Sequence, residues 1–209
     1  MPSDRPASGE ELNESGEPTT PRQAATVILL RGGARTLEVL LVRRNPQQRF
    51  MGGAWVFPGG AVDREEAGPD GHRLAGVREV QEESGVVLTG PDALIPYSRW
   101  ITPAQIKIRF DTAFFLAQAP DDAEPVVDGS ECVDWGWFTP ADALAARERG
   151  ELELVFPTMK TLDGLQAFPT ADELLAWADG REVVPIEPRV VKEGEIARVV
   201  LPGEPGYED

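Results

Sequence analysis

The stretch Arg78-Glu79-Val80-Gln81-Glu82-Glu83-Ser84-Gly85 limits what this chain can become more than any other. On a helix of about 3.6 residues per turn, Glu79, Glu82 and Glu83 stand at i, i+3 and i+4 and share one face. Leu74, Val77 and Val80 recur at intervals of three and are expected to turn toward a core on the opposite face. Gly85 is placed to end the helix, because glycine readily takes the left-handed conformation of a C-terminal cap. Two ionised carboxylates about 5 Å apart repel by about 3 kcal/mol at an effective dielectric of 20, and by under about 1 kcal/mol in open water. A solvated face tolerates such a cluster, so the charges alone do not separate a surface helix from a cation site.

The segment upstream sharpens the choice. Trp55-Val56-Phe57-Pro58-Gly59-Gly60 reads as a short apolar strand running into a rigid turn, where glycines let a backbone carbonyl approach a ligand closely. One carbonyl plus three carboxylates makes a hard, all-oxygen donor set suited to Mg²⁺ or Mn²⁺. These residues resemble the signature of the Nudix (MutT-type) hydrolase family: Gly, five residues, Glu, seven residues, then Arg-Glu-apolar-x-Glu-Glu-x-Gly-apolar. Arg78 to Val86 matches the second half at every specified position. The first half departs. Asp70 stands eight positions before Arg78 where Glu is expected, and the segment from Gly60 to Asp70 is four residues longer than the family spacing. Residues 64–71 therefore read as an insertion before the helix, in which Glu65 or Glu66 could take the place of Asp70.

The rest of the sequence is consistent with carboxylate chemistry. The chain has 209 residues, enough for one domain with a full core and an appendage. Its single cysteine, Cys132, excludes an internal disulfide framework and a multi-cysteine metal site. The single histidine, His72, has no nucleophile-elbow pattern beside it and is expected on a surface loop. A net charge of −16 argues against nucleic-acid and anionic-membrane partners. It would also repel a diphosphate substrate unless divalent cations intervened. No apolar run approaches membrane-spanning length, and Met1-Pro2-Ser3-Asp4-Arg5 does not read as a secretory signal, so a cytoplasmic location is expected.

Along the chain, residues 1–22 read as a disordered tail rich in Pro, Ser, Gly and Glu. Residues 23–165 are expected to form the hydrolase domain, and 166–209 a helix and strand extension. The apolar run 24–30 and residues 37–42 predict a hairpin. Further strands are expected over 86–88, 94–101, 110–117, 130–138, 183–186 and 196–201. A helix is expected after Thr139, and two short ones within 152–179, the second starting at Thr170. The extension is left to pack along one edge of the domain or against a second subunit, as in a homodimer.

Arg43, Arg44 and Arg49 stand within seven positions of an acidic chain. They read either as snorkelling surface charge or as a phosphate-binding patch. The stretch 40–60 resembles the motif that precedes the signature in coenzyme A diphosphatases. Leu40, Leu41, Arg44, Arg49, Gly53 and Phe57 to Gly60 fall in register, while Val42 replaces Thr and Asn45 replaces Ser or Ala.

The family resemblance implies an α/β/α sandwich with a mixed central sheet and a loop-helix-loop metal site. Carried over residue by residue, Glu79, Glu82, Glu83 and the carbonyl of Gly59 would hold one to three Mg²⁺ or Mn²⁺ ions. Arg78 would orient a carboxylate, Glu82 first among them. Family members commonly recruit one more acidic residue as ligand or base. Glu131 is the candidate here, with Glu124 and Asp128 behind it, against solvent-facing charge at a strand entrance. Gly60, Arg44 and Arg49 are the substrate-binding candidates. The implied activity is metal-dependent hydrolysis of coenzyme A or acyl-coenzyme A to 3′,5′-ADP and 4′-phosphopantetheine. The alternatives are a Nudix pyrophosphatase for ADP-ribose, a dinucleotide or another nucleoside diphosphate derivative, and a non-catalytic ligand-binding module.

Overall fold

The computed structural model describes residues 12–13, 16–193 and 196–207. Of the expected N-terminal tail, residues 1–11 and 14–15 lie outside the described residues. In chain order the strands are β1 (Arg22–Arg31), β2 (Glu38–Arg44), β3 (Trp55–Val56), β4 (Gly59–Ala61), β5 (Ile95–Ile101), β6 (Phe110–Gln118), β7 (Cys132–Phe138), β8 (Pro185–Ile186), β9 (Arg189–Glu193) and β10 (Ile196–Val200). The helices are α1 (Gly71–Ser84), α2 (Pro140–Glu148), α3 (Phe156–Leu165) and α4 (Ala171–Ala178).

An eight-stranded mixed sheet runs β3-β2-β1-β6-β5-β8, with β4 joined to β1 and β7 to β2. β1 is its axis. It pairs parallel with β6 from Arg22 to Leu30, antiparallel with β4 through Ala24 to Thr26, and with β2 as the expected hairpin. The continuous apolar run of β1 follows from burial on both faces. Ile28 and Leu30, with Phe114 and Leu116 of β6, share a core with α2, α3 and α4. Ala25, Val27 and Leu29, with Phe115 and Ala117, pack against Ala75 and Val80 of α1. Each fully buried Leu or Ile contributes about 2 kcal/mol of transfer free energy. Helices on both sides of a mixed sheet make the expected α/β/α sandwich.

Local signals set the helix ends. Gly85 caps α1 at φ 68°, its N–H donating to the Gln81 carbonyl. The hydroxyls of Thr139 and Thr170 accept from the N–H groups of Asp142 and Glu173 and start α2 and α4. Past residue 165, Leu174 and Ala178 of α4 enter the same core as Ile28, and β8 adds to the sheet edge beside β5. Among the described residues, β9 and β10 pair only with each other. No helix among the described residues is long and apolar enough to cross a membrane.

Three expectations need correction. Residues 86–88 are not a strand: Val86 and Leu88 are buried and Val87 is 62% exposed, an alternation with no partner strand to pair with among the described residues. Leu74 is 41% exposed, because the sheet meets α1 through Ala75, Gly76 and Val80. His72 lies in the first turn of α1, half-buried, rather than on a loop.

Candidate active site

Helix α1 packs on β4 so that its acidic face meets Gly59 and Gly60, which pair with Thr26 and Ala25 of β1 as a strand rather than forming the expected turn. The N–H of Gly59 donates to Glu83 Oε2 at 2.9 Å. Gly60 lies so close to Glu79 that an added Cβ would stand 2.3 Å from Glu79 Oε1. The helical spacing is thus realised, but the carboxylates are unequal. Glu83 is 2% exposed and Glu79 is buried, while the Glu82 side chain stands largely in solvent.

Arg78 ties the acidic face together. Its Nη1 donates to Glu79 Oε1 at 2.7 Å and to Glu82 Oε2 at 2.9 Å, and its Nη2 donates to the Ala61 carbonyl. Its Nε reaches Glu66 Oε1 at 2.8 Å. Of the three acids offered by the inserted loop, the structure selects Glu66. Glu66 also accepts from the Asp63 N–H, and the Arg78 hydrogen bond, opposed by burial, holds its carboxyl below the ordinary value. Asp70 merely precedes α1, with no side-chain cap bond, and Glu65 is exposed. Carboxylate partners on three sides raise the already high pKa of the Arg78 guanidinium.

Arg44, at the end of β2, faces the same cluster. Its Nη1 stands 3.6 Å from Glu83 Oε1 and its Nη2 donates to Glu131 Oε1 at 3.1 Å. Glu131 is delivered by a turn that Asp128 builds, accepting from the N–H groups of Ser130, Glu131 and Cys132. Burial raises the Asp128 pKa, but those bonds and the Ser130 hydroxyl outweigh it and hold the carboxyl at about 2. Asp128 is therefore committed to the turn, and Glu124 is exposed away from the cavity wall. Arg49 is exposed on the turn after β2 and does not reach the wall either. Cys132 is buried beside Glu83, and burial together with the Glu83 charge pushes its thiol well above the ordinary range.

A cavity of about 500 Å³ opens over these groups, bordered by Arg44, Gly59, Gly60, Arg78, Glu79, Glu82 and Glu131. Arg22 is a further basic wall residue. Nothing in the local sequence marked it, since it reaches the cavity only because β1 lies between β4 and β6.

Among the described residues, no three acidic, histidine or cysteine side chains close up into a cage. Glu79 and Glu82 are drawn to Arg78 and Glu83 to Gly59. The donor chemistry nonetheless suits a hard dication. Glu83 Oε1 is buried and accepts no hydrogen bond from the described residues. Burial, helped by the neighbouring Glu79 charge, pushes the Glu83 pKa up to about 8 against the Gly59 N–H and Arg44. Burial likewise raises Glu79, with Arg78 opposing. A cation would supply what these carboxylates lack.

The resulting pH effect has a definite sign. The Glu83 carboxyl is protonated more readily in the native protein than in the unfolded chain, where its pKa is near 4.5. Its contribution to stability is intact below about pH 4.5 and is lost as pH climbs through about 8. Metal-free protein is expected to melt at a lower temperature at pH 9 than at pH 6. Scanning calorimetry in chelator checks this, and Glu83→Gln flattens that part of the profile.

Comparisons with known proteins identify the family. The NUDIX domain model matches residues 20–159. A Caenorhabditis elegans relative named as nudix hydrolase 7 is 31% identical over 208 residues, covering 82% of this chain and 68% of its own. The human acyl-coenzyme A diphosphatase NUDT19 is 23% identical over 304 residues, covering 91% of this chain and 81% of its own. The crystal structure of a NUDIX hydrolase from Alicyclobacillus acidocaldarius superposes with a TM-score of 0.68 at 29% identity, over 76% of this chain and 96% of that one. Members of this family work with divalent metal ions, as the donor set here suggests. The chain belongs to the Nudix family and is a hydrolase of nucleoside diphosphate derivatives.

Proposed function

We propose that this protein hydrolyses the diphosphate of coenzyme A or its acyl derivatives to 3′,5′-ADP and the corresponding 4′-phosphopantetheine, with Mg²⁺ or Mn²⁺. The observation that carries the reading is the position of Arg44. The coenzyme A diphosphatase-like motif over residues 40–60 folds against the signature helix, so that this arginine meets Glu83 and Glu131. The similarity to a human acyl-coenzyme A diphosphatase supports the same substrate class.

Glu79, Glu82 and Glu83, with the Gly59 carbonyl beside them, would hold the dication. When bound, it lowers the pKa of the attacking water and neutralises charge on the bridging oxygen and leaving group. The chain's own residues do the rest. Arg78 fixes the rotamers of Glu79 and Glu82. Arg44 and Arg22 offer forked donors to phosphate oxygens at the cavity wall. Glu131, half in solvent and next to Arg44, accepts the proton released by the water as it attacks phosphorus and the anhydride bond breaks. Closely spaced acids also keep free anions out until a cation is present, which reconciles a charge of −16 with a diphosphate substrate.

The test is a panel of coenzyme A, acyl-coenzyme A, ADP-ribose, NADH and diadenosine polyphosphates, incubated with excess Mg²⁺ or Mn²⁺ and analysed by mass. Coenzyme A or its thioesters are expected to give the highest kcat/KM. A preference for ADP-ribose or a dinucleotide would move the substrate class, and no turnover of any of them would leave a binding module. Arg44→Gln is expected to raise KM for the preferred substrate about tenfold, the loss of one charge-assisted phosphate contact of about 1.5 kcal/mol.

A further inference from the structure

The cavity does not end at the acidic cluster. From β4 it crosses β1 and β6 to β5, three strand spacings or about 14 Å in all. The carboxylates and arginines stand at the β4 side. At the β5 side the wall is aromatic and aliphatic, with Trp100, Ile106, Phe110, Phe114 and Phe156. Trp100 meets Phe156 edge-on at 6.3 Å. A further part of the wall comes from an element the hydrolytic signature does not explain. Val190 of β9 and Val199 of β10 line the chamber, on a ribbon that makes no ladder with the main sheet.

That ribbon is fastened in place. The Val190 N–H donates to Gln105 Oε1, and Glu187 just before it pairs with buried Arg109 at 2.6 Å. The Tyr207 hydroxyl donates to the Glu187 carbonyl at 2.8 Å, and Leu201 packs on the main core. The aromatic wall holds an unsatisfied polar group: Trp100 is 9% exposed and its indole Nε1–H is buried with no acceptor among the described residues. A buried donor without a partner costs about 1–3 kcal/mol, which an acceptor carried by a ligand and reaching Trp100 would relieve.

We infer that the β9–β10 ribbon and the aromatic wall together form a subsite for an uncharged, amide-bearing arm of the substrate, with Val190 and Val199 deciding which arms are accepted. An arm with aliphatic segments covers the apolar wall, and an amide carbonyl gives the Trp100 N–H its acceptor. A charged or polyhydroxyl arm would be desolvated there without partners. The inference rests on the diphosphatase reading, whose substrate carries a pantetheine arm of this chemistry, and it adds the residues that select it.

The test uses the full-length chain. Val199→Phe fills the chamber, and Val199→Ala enlarges it without threatening the fold; melting temperatures confirm both. For Val199→Phe, kcat/KM for coenzyme A is expected to fall at least tenfold, while that for ADP-ribose stays within twofold. Trp100→Phe is expected to lower coenzyme A turnover and not that of ADP-ribose. Pantetheine, the arm without its phosphates, is titrated separately by calorimetry and is expected to bind wild type and not Val199→Phe. Equal losses on both substrates, or an unchanged coenzyme A rate in Val199→Phe, overturn the subsite. If wild type cleaves ADP-ribose but not coenzyme A, the diphosphatase reading fails. The subsite then stands if pantetheine still binds in a Val199-dependent way, and falls if it does not.

Discussion

Glu83→Gln is expected to lower kcat by about a thousandfold, because several kcal/mol of transition-state charge stabilisation depends on this carboxylate and about 1.4 kcal/mol corresponds to each factor of ten. The folded protein is expected to survive the change. The introduced amide keeps an oxygen for the Gly59 N–H, and the substitution removes an anion that is 2% exposed and poorly compensated. Only the long 3.6 Å approach of Arg44 to this side chain is weakened. Activity and stability therefore part company. Turnover under saturating Mn²⁺ collapses, while the melting temperature of the metal-free protein at pH 8 is expected to lie at or above that of wild type, because the variant escapes the cost of ionising a buried carboxyl. Manganese binding, followed by the loss of its free paramagnetic resonance signal, weakens in parallel with turnover. Near-normal turnover in this variant would remove Glu83 from the metal set. A large drop in melting temperature would show that it is a structural residue instead.

What the sequence made legible was periodic or punctuated. The i, i+3, i+4 spacing of Glu79, Glu82 and Glu83 places them on one helix face in any fold, and a glycine after Ser84 ends a helix wherever it stands. The run from Ala24 to Leu30 has no polar face, so it had to be covered on both sides. Less legible was anything that depended on what lies opposite. Val86 and Leu88 alternate with Val87 as a strand would, but strandhood needs a neighbour with free ladder positions, and the described sheet offers none there. Leu74 obeys the helical period yet faces solvent, because Gly76 and Ala75 let the sheet approach on a slightly rotated face. β9 sits among prolines and charged residues, and its pairing with β10 is set only by the return of the chain.

The site divides in the same way. Glu66 could not be singled out from Glu65 and Asp70, since the choice depends on how the inserted loop folds back on Arg78. Arg44 and Arg49 look alike in the chain, five positions apart. β2 carries Arg44 into the cavity and the following turn leaves Arg49 outside. Charge and spacing identify a candidate ligand set; burial decides which of its carboxylates have raised pKa values, and only the folded sheet supplies burial.

Two adjacent glycines separate chemistry from folding. In Gly60→Ala the new Cβ would lie 2.3 Å from Glu79 Oε1 and 2.5 Å from Glu79 Cδ, where ordinary contact begins near 3.4 Å. The obstacle is the far end of a flexible side chain, so the backbone pairing of Ala25 with Gly60 is expected to hold and the carboxylate to move by about 1 Å. Displacement of that size at a reacting centre costs about a hundredfold in rate. In Gly59→Ala the Cβ would instead stand 2.4 Å from the Ala25 carbonyl oxygen and 2.8 Å from Thr26 Cα, which are backbone atoms of the central strand. Nothing there can swing aside. Gly59→Ala is accordingly expected to lower the melting temperature sharply or to leave insoluble protein. Gly60→Ala is expected to keep a melting temperature near wild type and lose about two orders of magnitude in kcat, with weaker manganese binding. Should Gly60→Ala turn over substrate at the wild-type rate, Glu79 is not held at the reacting centre. Should it unfold as Gly59→Ala does, the close approach serves the sheet rather than the site.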